Sequence, residues 1–600
     1  MIMWAGRSVK PADGPSAVAM RVLPVRAGGA LVILLAASAA IPPASSASLD
    51  LSFESASAKV FLDRRGPGPR NSVAVKMARG EYESFQLLVS GAGGALHNVR
   101  VHASPPRAYR KAGGAAIRVE VGLVGFVETR PDDRRPWGKA VRLGWWPDPI
   151  LPNRPFDVAA EGTQPVWITL FALSDALPGA YTGELRVDAD GGRHGRCSYQ
   201  VEVFPVELPK TQRLRNAAFM PAGNLNAHYN PSGGIQGEKF LQLYERWARF
   251  AFERHLGPAF DMLMGWNQTK LRNPQEAGSL GVTPDMIAGG DPAAAKSYVT
   301  WPVRQLPAGY DFRTASDLLA LGREYGLERF CIALFDREQR WEQQDPEVRS
   351  AMADLLRAYV SALRKRGAES AAYVYNADEP GPAMWDTVKK NYSFIRAVDP
   401  GLRVWLCLNE IAGVRALAGY TDLWDVYIHQ YEQSGVEVRR QAGEAVIWGL
   451  CVYPHEHPNL FIEYPAMDAR VVGWLTYRYG VSGFEYWGLN QWGKNTGRTQ
   501  WASFESGDTR TRWQRTDWPL GDGWLLYPGP EGEPLSSVRF ENLRDGFEDA
   551  ELLLLLDARG KGARARSLAQ RVAATTQEFA SDPAIVESAH EALLRAFSEE

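Results

Sequence analysis

Two hydrophobic periodicities divide the chain near residue 210. From Leu49 to about Pro209, apolar and polar positions alternate in short runs, as in Glu83–Ser90, Ile117–Val127, Val166–Ala172, Tyr181–Val187 and Ser198–Pro205. A period of two broken by Gly, Pro and Asp predicts a β-sandwich, with turns at Pro178-Gly179 and between Asp188 and Gly192. After Pro209, compact runs rich in small, aromatic and β-branched residues alternate with amphipathic stretches of helical length. Eight such runs are present: Asn216–Met220, Pro258–Met264, Arg329–Leu334, Ala371–Tyr375, Arg403–Leu408, Leu423–His429, Ala445–Tyr453 and Gly483–Gly488. Eight βα units in series predict a closed parallel barrel whose functional face lies at the C-terminal strand ends. Asp345-Pro346 supplies an N-cap and first-turn pair for the helix before the fourth strand. Beyond the barrel, Leu543–Asp557 predicts a buried closing helix, and the Ala- and Arg-rich remainder a helical tail.

The expected fold class is therefore multidomain β plus α/β. It places a β-sandwich over 48–210, a TIM-like (β/α)8 barrel over 211–560 and a helical segment over 561–600. The fourth strand carries the chemistry. It runs into Tyr375-Asn376-Ala377-Asp378-Glu379-Pro380-Gly381, where Pro and Gly forbid continuation of the ladder and leave Asp378 and Glu379 at a strand-to-loop junction. Two adjacent acids suit glycoside hydrolysis, in which one carboxyl protonates a leaving oxygen and the second stabilises positive charge. The same turn is also consistent with a solvated loop that caps the following helix.

Other strand exits bring polar and aromatic residues to the same face. These are Asn409-Glu410, His429-Gln430-Tyr431, the Tyr453–Asn459 segment with His455, Glu456 and His457, and the Trp487–Trp492 segment with Asn490. Trp487 and Trp492 are candidates for a flat wall beneath a sugar ring, and Asn409, His455 and Asn490 are further candidate substrate contacts. Gly144-Trp145-Trp146-Pro147-Asp148-Pro149 reads as a loop that either leans over a neighbouring cleft or packs between domains. Arg539, Arg544 and Asp545 read as ion pairs and a helix cap near the barrel mouth, with Arg544 within possible reach of substrate.

Composition narrows the partners. A formal charge of −2, with no long basic run after the N-terminus, gives no electrostatic case for nucleic acid. Arg21 and Arg26 precede an apolar run from Gly28 to Ile41, then Pro42-Pro43 and Ala44-Ser45-Ser46-Ala47, which predicts a secretory signal peptide over 1–47. Met20 stands where such a signal would begin, so translation is expected there as an alternative to Met1. The mature protein is expected to be secreted or periplasmic, and no later run reaches the ~18 apolar residues that a membrane span needs. The four cysteines, Cys197, Cys331, Cys407 and Cys451, are widely spaced, and the last three fall in strand-like runs, so buried free thiols are expected. His455 and His457 with Glu456 between them have no evident third metal ligand, so neither metal nor cofactor is expected.

Tyr373–Pro380, Gly483–Trp492 and Glu541–Asp549 resemble the catalytic domain of glycoside hydrolase family 123, and Ala78–Gln86 resembles that family's N-terminal sandwich. The resemblance implies an exo-acting β-N-acetylgalactosaminidase, with a glycan or glycoconjugate as its partner. Its nucleophile would be the substrate's own acetamido oxygen, with Glu379 as acid/base and Asp378 orienting the acetamido group. It also implies a phenol on the acetamido carbonyl, for which Tyr431 is favoured over Tyr453 and Tyr486. One alternative is a two-carboxylate retaining glycosidase that pairs Glu379 with Glu456. Glu485 is less suited to that role because a mid-strand side chain there is expected to point outward. A second alternative is a secreted carbohydrate-binding protein whose barrel is catalytically dead.

Overall fold

Alternation of buried and exposed positions turns the first part of the chain into sheet, most visibly in Gly179–Asp188, where every second residue is buried. The computed structural model describes residues 49–599 except 66–67, 109–115, 130–141, 230–237, 260–303, 307–308, 312, 327–329, 335–345, 451–455, 493–507 and 512–518. The predicted signal peptide and the alternative start at Met20 lie outside the described residues.

Ten strands form the N-terminal region: β1 (Asp50–Ser55), β2 (Ala74–Arg79), β3 (Tyr82–Ser90), β4 (Leu96–Ala108), β5 (Ile117–Thr129), β6 (Gly144–Pro152), β7 (Phe156–Val158), β8 (Thr163–Ala172), β9 (Gly179–Asp188) and β10 (His194–Glu207). One sheet runs β1-β3-β8-β5 with β6 on β5, and the other runs β2-β10-β9-β4-β7. Phe85 of the first sheet meets Tyr199 of the second at 5.2 Å between ring centroids. β3 is buried along its whole length. Its second face is covered by the helix Val538–Leu556, whose Glu548 accepts the Tyr82 amide.

The barrel region contains β11 (Ala217–Phe219), β12 (Gly257–Ala259), a hairpin of β13 (Arg304–Leu306) and β14 (Gly309–Asp311), then β15 (Phe330–Leu334), β16 (Ala372–Tyr375), β17 (Arg403–Leu408), β18 (Leu423–Tyr427), β19 (Ala445–Gly449) and β20 (Phe484–Tyr486). Each of the eight predicted runs contains a strand among its described residues. They pair in parallel in the order β12-β11-β20-β19-β18-β17-β16-β15, so the first predicted strand lies beside the eighth. Among the described residues no ladder joins β12 to β15. The expected closed ring is therefore a strongly curled eight-stranded sheet here, and the three described residues of β12 offer few ladder groups to close it.

The two faces of this sheet separate cleanly, because successive side chains in a strand point to opposite sides. Ala217, Cys331, Tyr373, Tyr375, Trp405, Cys407, Leu423, Tyr427 and Ile447 form one inner cluster. Val374, Val404, Leu406, Trp424, Val426, Val446 and Trp448 turn outward into the main core. Cys331 and Cys407 are buried free thiols and Cys197 a half-buried one, while Cys451 is outside the described residues.

The closing helix is longer than its apolar run, Val538–Leu556 against the expected Leu543–Asp557. Ser537 caps it by accepting the Phe540 amide, and Gly546 meets Gly473 of the helix Ala466–Tyr479 so closely that neither backbone leaves room for a β-carbon. The tail is two helices, Gly562–Val572 and Pro583–Ala596, with a left-handed Gly560 before the first.

Charged side chains fill the contact between the closing helix and the N-terminal sheets. Arg470 reaches Glu83 at 2.9 Å and Asp549 at 3.0 Å, His590 reaches Asp549 at 2.6 Å, and Arg544 pairs with Glu541 and Asp545. Arg544 is fully enclosed, with its guanidinium over the Tyr82 ring, and so belongs to this contact and not to a substrate surface. The predicted Trp-rich loop is part of β6. Its Asp148 accepts from Arg539 Nε at 2.8 Å, which makes the segment a packing element. Among the described residues no helix is long and apolar enough to cross a membrane.

Candidate active site at the strand ends

β16 continues in pairing by one residue, as the Asn376 amide donates to Trp405 O at 2.8 Å and the Asn376 side chain donates to Val388 O on the next helix. The chain then turns sharply. Glu379 adopts φ +45°, a left-handed conformation uncommon for a residue with a side chain. Such strain is of order 1–3 kcal/mol and persists where the surroundings over-determine it, most often at functional sites.

The turn sends the two neighbouring carboxylates to different partners. Tyr375, on β16, donates its hydroxyl to Asp378 Oδ1 at 3.2 Å, and Tyr427, the last residue of β18, donates to Glu379 Oε1 at 2.5 Å. Asp378 is exposed and Glu379 half-buried, so both meet solvent at the mouth while their phenol partners are buried. Below them lies an aromatic floor. Trp405 stacks on Phe219 at 5.7 Å and 19°, meets Tyr375 edge-on at 5.0 Å, and donates from its indole to Asp425 Oδ2 at 2.9 Å.

Two more acids face the same interior. A side chain built on Gly449 would begin 3.2 Å from Glu485 Oε2 and 3.8 Å from Asp425 Oδ1, which puts both carboxylates on the inner side of β19. Glu485 therefore points inward, against the expectation that it would face out; in the short strand β20, alternation turns Phe484 and Tyr486 outward and leaves Glu485 inside. Burial pushes the Cys407 thiol well above its ordinary range, and the negative fields of Asp425, Asp378, Glu485 and Glu379 push it further. The Tyr375 phenol is raised in the same way, first by burial, so it stays a neutral donor toward Asp378.

The other predicted contacts divide. Tyr431 does not join the carboxylates: it opens a short helix, is buried against Trp448 and Tyr479, and donates to Glu437 at 2.7 Å. Tyr486 faces outward and accepts from the Gly523 amide at 2.9 Å. Trp492 is buried against Trp247 and His228, with its indole on Leu526 O at 2.9 Å, so it offers no open wall. Trp487 is half-buried and donates to Asp522 at 2.8 Å. Asn490 is enclosed and donates to Pro221 O, while Asn409 is exposed and accepts from Gln430. Glu456 is exposed, and its charge acts on His457 and Tyr464. Tyr453 and His455 lie outside the described residues. Tyr427, which sequence reasoning passed over for Tyr431, was legible in the inward series Leu423, Asp425, Tyr427. Among the described residues, the donors close enough to share a metal ion are Glu81, Glu83 and His590, within the ion-pair network and not at the strand ends.

Residues 331–556 match the family model described as glycoside hydrolase 123, catalytic domain. Among solved structures, a family 123 glycoside hydrolase from Clostridium perfringens, described in terms of glycolipid glycan hydrolysis, aligns at 13% identity with a TM-score of 0.64. It covers 92% of this chain and 98% of that one. At that identity the likeness speaks for the fold. A Bacteroides ovatus GH5 xyloglucanase in complex with a XXXG heptasaccharide aligns over 79% of this chain and 98% of that one, at 9% identity and a TM-score of 0.30. No curated protein matches the chain.

Proposed function

We propose that this chain, whose residues 331–556 match the glycoside hydrolase 123 catalytic-domain model, removes a terminal β-linked N-acetylgalactosamine, or another 2-acetamido sugar, by substrate-assisted retaining catalysis. The observation that carries this reading is the separation of two adjacent carboxylates onto two different phenols at one strand end. Adjacent acids that share one orientation would compete for one substrate atom; these two diverge and can serve two.

In the first step the acetamido oxygen attacks the anomeric carbon as the glycosidic bond breaks, and the Glu379 proton passes to the departing oxygen. Asp378 accepts from the acetamido N–H and stabilises the oxazolinium charge as it develops. Water then adds to the anomeric carbon, gives a proton to Glu379 and restores the acetamido group. The test is a panel of aryl β-glycosides with and without the 2-acetamido group, run on wild type, Asp378→Asn and Glu379→Gln. Turnover confined to acetamido substrates, inhibition by a thiazoline analogue and a large loss in both variants are expected. Equal turnover of substrates without the group would overturn the mechanism.

A second reading is favoured by the inward carboxylate of Glu485: a two-carboxylate mechanism with Glu485 as nucleophile and Glu379 as acid. It predicts turnover without the acetamido group and inactivity of Glu485→Gln. Among the predicted phenols, Tyr453, just beyond β19 in sequence, is retained as partner of the acetamido carbonyl. The same proposal takes residues 48–210 as a sandwich, 211–560 as a closed barrel and 561–600 as a helical cap, in a protein exported through the signal at 1–47.

A further inference from the structure

The geometry points to a second, non-catalytic sugar-binding cleft on the N-terminal sheets, with the Trp145 indole as its platform and carboxylates that read the hydroxyls of a neutral glycan. None of the residues that line it belongs to the strand-end cluster, so it goes beyond the hydrolase reading and does not depend on it.

β6 carries two successive tryptophans whose side chains leave the strand on opposite sides. Trp146 is buried, meets Phe61 edge-on at 5.0 Å and donates from its indole to Arg142 O at 3.0 Å. Trp145 is half-buried and lines a cleft of about 680 Å³, within the ~300–1,000 Å³ range of small-molecule sites. The floor of the cleft is fixed. Gln164, at 1% exposure, donates from its side-chain amide to Val124 O and Pro165 O and accepts from Thr509 Oγ1 at 2.9 Å. One wall is the turn Ala159–Gly162, held where the Glu161 amide donates to Gly91 O and the Thr163 amide to Leu62 O, each at 3.0 Å. A site built this way needs little ordering when a ligand arrives.

Asp63, Asp157, Glu161 and Asp508 line the cleft together with Arg510, whose guanidinium lies 5.4 Å from the centre of the Trp145 ring. Asp63 pairs with Arg142 at 2.5 Å, Asp508 with Arg510 at 2.8 Å, and Asp157 lies 3.4 Å from His97 Nδ1. An ionised carboxylate offers about four lone-pair sites, so each of these keeps acceptor capacity beyond its basic neighbour and can take sugar hydroxyls. An anionic ligand would meet four carboxylates against the two guanidiniums of Arg65 and Arg510. A metal ion fits less well, since among the described residues the donors close enough to share one are Glu81, Glu83 and His590. A neutral sugar satisfies both kinds of group: its C–H face packs on the indole and its hydroxyls donate to the carboxylates.

The test applies full-length Glu379→Gln to an array of immobilised neutral glycans ending in galactose, glucose, mannose, N-acetylglucosamine or N-acetylgalactosamine. Glu379→Gln/Trp145→Ala and Glu379→Gln/Asp157→Asn are applied beside it, with melting temperatures measured for all three. Glu379→Gln is expected to bind at least one of these glycans, with affinity falling about tenfold or more in the Trp145→Ala background and about fivefold in the Asp157→Asn background. Asp157 is exposed, so its substitution keeps the test decisive if Trp145→Ala fails to fold. With Glu379 intact, Trp145→Ala is expected to leave kcat/KM for p-nitrophenyl 2-acetamido-2-deoxy-β-galactoside within about twofold of wild type, because a single small sugar has no need of the cleft. Binding to no glycan on the array, or binding undiminished by either substitution, would overturn the cleft and leave the hydrolase reading intact. A fall in kcat/KM as large as the fall in binding would also overturn it, by making Trp145 part of the catalytic site. If wild type turns over no aryl glycoside while array binding still depends on Trp145, the hydrolase reading falls and the cleft stands.

Discussion

At the scale of single residues, a neighbour four positions away can exchange roles with the one that chemistry suggests. Tyr427 lies within the sixth predicted run and Tyr431 just after it, where a phenol was expected; strand alternation puts Tyr427 inside, but Tyr431 already belongs to a helical turn and obeys no alternation. Tyr431→Phe is accordingly expected to leave kcat/KM within about twofold of wild type and to lower stability by about 1 kcal/mol through the lost bond to Glu437, read by urea unfolding. Gly449 is the converse case. Its missing side chain opens space beside Glu485 and Asp425, so Gly449→Ala is expected to lower kcat/KM several-fold with a melting temperature close to that of wild type. A large fall in melting temperature instead would mean that the space is structural.

Among the elements, strands with one consistent inner face were legible, and of the closing helix the apolar run was legible but not the burial of its charges. Each of the eight runs holds a described strand because buried parallel strands read as dense apolar runs, and the fourth leads into the turn that carries Asp378 and Glu379. The closing helix carries Glu541, Arg544, Asp545, Glu548 and Asp549, and although ion pairs were expected of Arg544 and Asp545, the burial of all five was not. Arg544 finds Glu541 and Asp545 on its own helix, but Arg470, His590 and the Tyr82 amide come from far away in the chain, so no local pattern could reveal the burial. Ser537→Ala removes the cap of this helix and is expected to lower unfolding free energy by about 1 kcal/mol. Gly546→Ala forces two helices apart where their backbones touch, and a loss of about 1–3 kcal/mol is expected in the same assay.

On the scale of the whole molecule, the buried ion pairs tie the N-terminal sheets to the barrel's closing helix. Arg470→Ala would strand Glu83 and Asp549, and a loss of about 3–5 kcal/mol is expected. The network also sets a pH response. Burial alone would lower His590, but the carboxylates of Glu81 and Asp549 hold it at about 10; burial raises Asp545 and Glu548 to about 8. All three hold protons more tightly when folded than when unfolded. Their contribution is therefore complete at low pH and lost as pH rises through the folded values, first between about 4 and 8 for the acids and then up to about 10 for the histidine. The melting temperature is expected to fall from pH 6 to pH 10, and His590→Gln should flatten the upper part of that fall; a melting temperature that rises over this range would contradict the assignment.

One small strand ties the halves together in another way. β5 pairs with β8 only as far as Leu123; its next stretch, Phe126 and Val127, finds a partner in β21 (Arg510–Thr511), which follows the last barrel strand in sequence. During synthesis that ledge of the first sheet must wait for nearly four hundred more residues to leave the ribosome before its edge is covered. A nascent chain halted before residue 510 would thus present an unfinished border to chaperones, and the sheet that opens the polypeptide is among the last pieces to be completed.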